Sequence, residues 1–123
     1  MMYAYIDGDD IGLRIENSFM NNDEIGLMML SNSLRDIINE IKVKLSNCGY
    51  QIIFGAADGI ICKKEEIKIE ELIKLTKYAN KEITFSIGVG TSLKDSYIAL
   101  RYAKCNGKNT AVSCTKGTFY ITN

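Results

Sequence analysis

The 123-residue sequence contains no histidine and no proline. Without imidazole the chain lacks the usual general base, a common metal ligand and the partner of a nucleophilic serine, so serine-type triads and most zinc chemistry are excluded. Any catalysis must therefore depend on carboxylates, lysines and a metal ion. No low-complexity linker and no internal repeat interrupts the chain, and its length predicts one domain spanning residues 1–123.

Net charge and long apolar runs are also missing. Fifteen basic side chains balance fifteen acidic ones, which gives no general attraction to nucleic acid, and we expect no duplex nucleic acid partner. No stretch approaches the ~20 apolar residues of a membrane span, and no basic region precedes an apolar run at the N-terminus. We therefore expect a soluble, cytoplasmic protein without direct membrane insertion.

The cysteines occur singly, with no CxxC pair among Cys48, Cys62, Cys105 and Cys114. This scatter is typical of reduced thiols in a cytosolic protein. It favours small core or surface residues over the alternative, a disulfide framework.

Four aspartates stand where predicted strands end or turn. Asp7, Asp9 and Asp10 follow an apolar strand in YAYIDGDDIG, and Asp58 lies in the turn of a predicted hairpin, IIFGAADGIIC. Carboxylates about 4–6 Å apart at a partly buried strand end repel by roughly 3 kcal/mol per pair at an effective dielectric of about 20. A divalent cation removes that penalty, and oxygen ligands without His or Cys suit Mg²⁺ or Mn²⁺. The alternative is a cluster of Asx turns on a solvated loop.

The hydrophobic pattern predicts elements in the order βαββαβ, followed by αβ. The first strand ends at Asp7, and a polar bridge leads to a long helix that Asn22 or Asp23 caps and Gly49 ends. The remaining predicted elements are a hairpin (51–54 and 59–62), a helix (67–79), the strand ITFSIGVG, a helix from Thr91 or Ser92 to just before Gly107, and a last hairpin around 115–117.

This order predicts an α+β, ferredoxin-like palm: an antiparallel sheet with helices on one face. The other face would be open for a ligand or a second subunit. The first strand and the central hairpin pair in the middle of such a sheet. We therefore expect Asp7 to lie beside Asp58, where both can ligate one ion.

The C-terminal half resembles a GGDEF domain. The segments ITFSIGVG and ALRYAKCNGKNTAV are similar to that family's S-I-G-V-A strand and A-L-Y-x-A-K-x-x-G-[RK]-N helix. The matching positions are Ala99, Leu100, Ala103, Lys104, Gly107, Lys108 and Asn109, with Tyr102 displaced by one from the usual aromatic. The front half resembles the palm of type III CRISPR polymerases, and the short chain as a whole resembles the minimal CRISPR polymerases.

The resemblance implies a metal site. The family's first metal-binding aspartate corresponds to Asp7, the carbonyl of Gly8 would be a further ligand, and Asp9 and Asp10 would assist. Asp58 occupies the fourth position of the family's GG[DE][DE] hairpin motif. The implied catalytic pair is Asp7 and Asp58.

The hairpin motif also departs from the family pattern. It falls on Gly55, Ala56, Ala57 and Asp58, so the second glycine and the third acid have become alanine. In diguanylate cyclases the third acid contributes to catalysis. Catalysis in this chain therefore either depends on the pair of Asp7 and Asp58 alone, or its activity is weakened.

Two lysines correspond to family residues that contact nucleotide phosphates. Lys104 and Lys108 match these positions, with Lys108 standing where arginine is common. Lysine serves there as a point charge without the bidentate fork of arginine. The alternative is a solvated helix end, where the helix dipole favours lysine in any case.

The resemblance favours ATP over GTP. Ile15 and Glu16 stand where diguanylate cyclases place an asparagine and an aspartate for guanine, and the RxxD signature before the hairpin is replaced by NCGY at 47–50. The CRISPR-polymerase relatives make cyclic oligoadenylate from ATP. The implied mechanism is in-line attack on an α-phosphorus, with two metal ions and pyrophosphate as the leaving group.

The implied biological role is antiviral signalling, with a separate effector reading the product. Since one small domain supplies only half of a ring-closing site, a homodimer is expected. Two alternatives stay open: a catalytically impaired nucleotide-binding receptor, and a partner module with the same fold.

Overall fold

The helices and strands of the chain are seen in a computed structural model that describes residues 1–122, Ala56 by its backbone only. The strands are β1 (Met2–Gly8), β2 (Gln51–Ala56), β3 (Gly59–Lys64), β4 (Phe85–Gly90), β5 (Ala111–Thr115) and β6 (Thr118–Thr122). The helices are α1 (Ile11–Met20), α2 (Glu24–Asn47), α3 (Ile69–Ala79) and α4 (Leu93–Cys105).

The strands form one six-stranded sheet in the order β2-β3-β1-β4-β5-β6. β1 pairs with β3 and with β4 in antiparallel fashion, as the ferredoxin-like pattern predicts. β4 and β5 are parallel, because α4 connects them as a crossover. The predicted α+β palm fold is confirmed, with one parallel pair in a sheet that is otherwise antiparallel.

Helices pack on both faces of the sheet. α2 and α3 cover one face, and the main core between them contains Ile6, Ile41, Leu45 and Leu72. α4 lies on the other face over β4 and β5, where Ala99, Ala103, Val112 and Cys114 form a second cluster. The sequence analysis placed all helices on one face, which holds for α2 and α3 and not for α4.

The strand β4 explains how α4 can pack so closely. Phe85, Ile87 and Val89 belong to the main core, whereas Gly88 on the alternate face is in contact range of the α4 backbone at Ser96 and Leu100. A strand face of small residues lets a helix approach the sheet. The alternation of apolar with small residues in ITFSIGVG is thus a signal for a helix on each face.

Capping residues fix the ends of the two long helices. The Asp23 carboxylate accepts a hydrogen bond from the Gly26 amide at 2.9 Å, and Gly49 follows α2 with a φ of +89°, which suits glycine. The Ser92 hydroxyl accepts from the Asp95 amide at 3.1 Å. Of the alternatives open from sequence, Asp23 and Ser92 are therefore the caps.

Helix α1 was not predicted, since residues 11–20 were interpreted as a polar bridge. Asp10, with a φ of +60°, turns the chain directly from β1 into this helix. Only Ile11 is buried in it, and Leu13, Ile15 and Phe19 are exposed. The spacing of Ile11, Ile15 and Phe19 at four-residue intervals is the signal that was available.

The four cysteines are free thiols, with Cys62 and Cys114 buried and Cys48 and Cys105 exposed. Burial raises the pKa of the Cys62 thiol to about 12, so it behaves as a core residue. Across residues 1–122, no helix combines the length and the hydropathy that crossing a membrane requires.

Candidate active site

The sheet register brings the two predicted catalytic aspartates together. Asp7 on β1 is the antiparallel partner of Gly59 on β3, and the Gly8 amide donates to the Asp58 carbonyl at 2.8 Å. Burial raises the pKa of the half-buried Asp7 carboxyl, the charge of Lys104 opposes that rise, and the charge of Asp58 adds to it. The two carboxylates therefore lie close enough to repel, as the topology predicts.

A glycine makes room for the Asp7 carboxylate. A Cβ on Gly59 would lie 3.0 Å from Asp7 Oδ1 and 3.3 Å from the Tyr5 ring. That is tighter than ordinary van der Waals contact, so a side chain here would displace the carboxylate. The glycine after Asp58 is thus part of the site, although the sequence analysis did not single it out.

Asp9 is turned into the protein, with only 6% of its surface exposed. Its Oδ1 accepts from the Ser86 hydroxyl at 2.6 Å and from Lys104 Nζ at 2.8 Å. Its Oδ2 accepts from the Thr84 hydroxyl at 2.7 Å and from the Asn109 amide at 2.9 Å. Burial acts to raise the pKa of Asp9, but these hydrogen bonds outweigh it and hold the pKa below its usual range.

Lys104 lies at the centre of the acid loop, defined here as residues 7–10. Its ammonium donates to the Gly8 carbonyl at 2.9 Å and to Asp9 Oδ1 at 2.8 Å, and lies 3.2 Å from Asp7 Oδ2 and 3.4 Å from the Asp7 carbonyl. The side chain is 19% exposed. The predicted phosphate-contacting lysine is therefore adjacent to the predicted metal ligands.

Lys108 and Asp10 form a second, more exposed pair at the rim of the acid loop. The Lys108 ammonium is hydrogen-bonded to Asp10 Oδ1, and both side chains are more than two-fifths exposed. The hydrogen bond and charge of Asp10 raise the pKa of Lys108. A surface pair of this kind is weakly held, so Lys108 can exchange Asp10 for another anion.

The loop after α4 is held in an unusual conformation. Gly107, Lys108 and Asn109 have successive φ values of +94°, +59° and +46°, a conformation that costs non-glycine residues energy. The Asn109 amide reaches the buried Asp9 through this turn. The G-[RK]-N part of the motif therefore shapes a turn that holds the acid loop.

The hairpin motif forms the turn between β2 and β3, with Ala57 exposed at a φ of +54°. The Gly55 carbonyl accepts from Lys42 Nζ of α2 at 2.9 Å. The side chain of Ala56 lies outside the described part of the chain. Lys42 ties the hairpin to α2, and nothing in the local sequence around it indicated that contact.

An apolar groove opens beside this turn, between α1 and α2. Its volume is about 560 Å³, and its wall reaches Ala57, the residue before Asp58. Ile15, Phe19, Leu27 and Leu34 supply apolar walls, and Arg35, Asn39 and Lys42 supply polar groups. A concave apolar site with a few polar groups is the usual form of a small-molecule pocket.

The donor set at the acid loop suits one hard cation. Within residues 1–122 no three or more His, Cys, Asp or Glu side chains are grouped as a ligand set. The acid loop supplies the Asp7 carboxylate and backbone carbonyls, and the neighbouring hairpin turn supplies the Asp58 carboxylate. These are oxygen donors of the kind that Mg²⁺ and Mn²⁺ take together with water and substrate phosphates.

The sheet order is that of a palm domain, and comparison with known proteins agrees. A diguanylate cyclase GGEEF domain from Vibrio cholerae superposes with a TM-score of 0.60 at 19% identity, covering 91% of this chain and 81% of that one. A diguanylate cyclase/phosphodiesterase from Caldicellulosiruptor saccharolyticus gives a TM-score of 0.57 at 17% identity, covering 97% and 78%. At these identities the likeness establishes the fold.

The model of the minimal CRISPR polymerase domain matches residues 3–114. The chain belongs to this family, which confirms the resemblance drawn from its motifs. No curated protein sequence matches it.

Proposed function

We propose that the chain is a metal-dependent nucleotidyltransferase that makes a cyclic oligonucleotide from ATP. Membership of the minimal CRISPR polymerase family and the cyclase-like fold support a nucleotidyl cyclase. The observation that carries the proposal is the convergence of Asp7 and Asp58 beside Lys104 and Lys108. Two carboxylates and two ammonium groups at one sheet end can position a triphosphate and neutralise its charge.

Asp7 and Asp58 would hold a divalent cation, Mg²⁺ or Mn²⁺. Such an ion, when bound, orients the triphosphate and neutralises charge that develops during phosphoryl transfer. Asp9 and Asp10 would not be metal ligands in this proposal. The oxygens of Asp9 accept hydrogen bonds within the protein, and Asp10 is paired with Lys108.

The lysines would act on the phosphates of the bound ATP. Lys108, at the exposed rim, would exchange Asp10 for a phosphate oxygen, and Lys104 would act from its fixed place in the acid loop. A ribose hydroxyl oxygen of a second nucleotide forms a bond to the α-phosphorus as the bond to the bridging oxygen breaks. Pyrophosphate leaves, and the hydroxyl proton is released to solvent.

The groove between α1 and α2 would receive the nucleobase. It adjoins Ala57 and hence the hairpin turn that carries Asp58, and its walls are apolar where Ile15 and Phe19 face it. Because Ile15 offers no hydrogen bond, base selection would depend on shape and on Asn39 and Arg35. Adenine is favoured because Ile15 and Glu16 replace the asparagine and aspartate that guanine recognition uses in the related cyclases.

Ring closure requires a second bound nucleotide, so the working form would be a homodimer with two sites facing each other. The product would be read by a separate effector in antiviral signalling, and the enzyme would act in the cytoplasm. The effector and the antiviral role rest on the family resemblance, the dimer on the need for two half-sites, and the compartment on the composition of the sequence.

The direct test is product analysis. The purified protein is incubated with ATP or GTP and with Mg²⁺ or Mn²⁺, and products are resolved by chromatography and mass spectrometry. We expect ATP and metal together to give a cyclic adenylate product and pyrophosphate, and GTP to give at least about tenfold less, since one lost base hydrogen bond is worth that much. Cyclic guanylate as the main product would contradict the base assignment.

A nucleotide-binding receptor is the second candidate, because Ala57 stands where the related cyclases have an acid. It predicts that ATP binds without turnover. A partner module with the same fold would bind neither metal nor ATP.

Thermal stability separates the partner module from both nucleotide-binding candidates. A ligand at about 100 times its dissociation constant stabilises the folded state by about 2.7 kcal/mol, so we expect Mg²⁺ with ATP to raise Tm. The raised pKa of Asp7 means that protons compete with metal at a higher pH than for an ordinary aspartate. The metal-dependent rise should therefore shrink as pH falls toward the raised pKa of Asp7.

Scanning calorimetry at several pH values, with and without metal, measures this effect. In the absence of metal the sign reverses for Asp7 alone: its folded pKa is above the unfolded value, so its contribution to stability falls as pH rises from the unfolded pKa to the folded pKa. A metal increment that is absent, or that grows toward acid pH, would contradict the site.

A further inference from the structure

The Lys104 ammonium is surrounded by oxygens that a metal ion in the acid loop would otherwise use. It lies 2.9 Å from the Gly8 carbonyl, 3.2 Å from Asp7 Oδ2 and 3.4 Å from the Asp7 carbonyl. Two of these groups, the Asp7 carboxylate and the Gly8 carbonyl, are the ligands expected from the family pattern. The positively charged ammonium group of Lys104 therefore already occupies this position next to the expected metal ligands.

This ammonium is fixed in place by the buried Asp9. Asp9 Oδ1 holds it at 2.8 Å, and Asp9 is itself fixed by Ser86, Thr84 and the Asn109 amide. If Lys104 swung away, a carboxylate whose side chain is 2% exposed would lose a charged hydrogen-bond partner, which is strongly unfavourable. Lys108 differs, because its carboxylate partner is exposed.

The charge of Lys104 also opposes a second divalent ion. A second divalent ion at the Gly8 carbonyl would be in contact range of the ammonium and would be repelled by it.

We propose that Lys104 is the resident second cation of the site and that Asp9 is the positioning residue that fixes it, so that each chain takes one divalent ion where a two-metal site would take two. This rests on the proposed function and deepens it. It changes the role of Lys104 from a mobile phosphate ligand to a fixed positive charge next to the metal ligands Asp7 and Asp58.

The test is a Mn²⁺ titration of the full chain in the presence of a non-hydrolysable ATP analogue, monitored by electron paramagnetic resonance. Wild type should saturate with one Mn²⁺ per chain and an uncoupled spectrum. Lys104→Met should take up two ions, with the line broadening of two Mn²⁺ a few ångströms apart, whereas Lys104→Arg should keep one. The control is Lys94→Met, which removes an exposed lysine near the start of the same helix and should also keep one ion.

A second variant guards against misfolding of Lys104→Met, which leaves Asp9 without a countercharge. The double variant Asp9→Asn, Lys104→Met removes both charges of the buried pair, keeps the net charge of the site, and should also bind two ions. Circular dichroism checks folding.

Two coupled ions in wild type, or a single ion in both the double variant and Lys104→Met, would overturn the inference. Wild type without any bound Mn²⁺ would instead remove the metal from the proposed function as well, so the two failures are distinguishable.

Discussion

Asp7→Asn and Asp58→Asn should each lower the rate of product formation from ATP by at least about 10³-fold. Each substitution keeps the shape of the side chain and removes one of the two carboxylates at the junction of β1 and β3. A bound metal supplies several kcal/mol of charge stabilisation in a phosphoryl transfer, and each 1.36 kcal/mol corresponds to about tenfold in rate. Initial rates at saturating ATP and Mg²⁺, measured by pyrophosphate release, give the comparison.

The matched control is Glu40→Gln, which removes an exposed carboxylate on α2 that pairs with Lys44 at 3.2 Å. It should change the rate by less than about twofold, since exposed pairs contribute little. Wild-type rates in both Asp7→Asn and Asp58→Asn would mean that the chemistry lies elsewhere.

Gly88→Ala should destabilise the fold by about 3 kcal/mol or more and lower Tm by about 10 °C or more. A Cβ at this position would overlap the Ser96 carbonyl oxygen and the Leu100 amide, and would lie 2.8 Å from Leu100 Cα. All three are backbone atoms of α4, so relief requires the helix to move off β4. Thermal unfolding followed by circular dichroism measures the change.

Gly12→Ala is the matched control for the same chemical change. Gly12 lies in α1, and a Cβ there would meet no atom within 4 Å. Alanine is the better helix former, so this variant should be neutral or more stable by up to about 1 kcal/mol. Equal Tm values for the two variants would show that α4 does not pack on β4 as closely as described.

The order of elements along the chain was largely predictable from the sequence, because apolar runs of strand length alternate with segments of helical periodicity. The turn around Lys116 and Gly117 was predicted and is seen, with φ values of +50° and +77°. Helix α1 was missed because its polar residues were interpreted as a bridge, although Ile11, Ile15 and Phe19 recur at helical spacing. The position of α4 was missed because the sheet face on which a helix packs depends on close contact at Gly88. The alternation of apolar and small residues in β4 indicates such a contact but does not say which helix makes it.

The sequence predicted which aspartates of the site lie together, but not the hydrogen bonds that hold them. The pairing of Asp7 with the hairpin follows from topology, and the register confirms that β1 and β3 are neighbours. The roles of Ser86, Thr84 and Asn109 were not predicted, since they depend on which way the Asp9 carboxylate turns. That direction is set by contacts between residues more than seventy positions apart, and no local pattern contains it.

Those distant contacts have a consequence during synthesis. Lys104 and Asn109 complete the surroundings of residues 7–9, so a nascent chain has no finished centre until nearly all of it has left the ribosome. Truncated translation products ending before α4 would carry the acids without their lysines. Incomplete chains would therefore lack the arrangement of residues 7–9 on which the proposed chemistry depends.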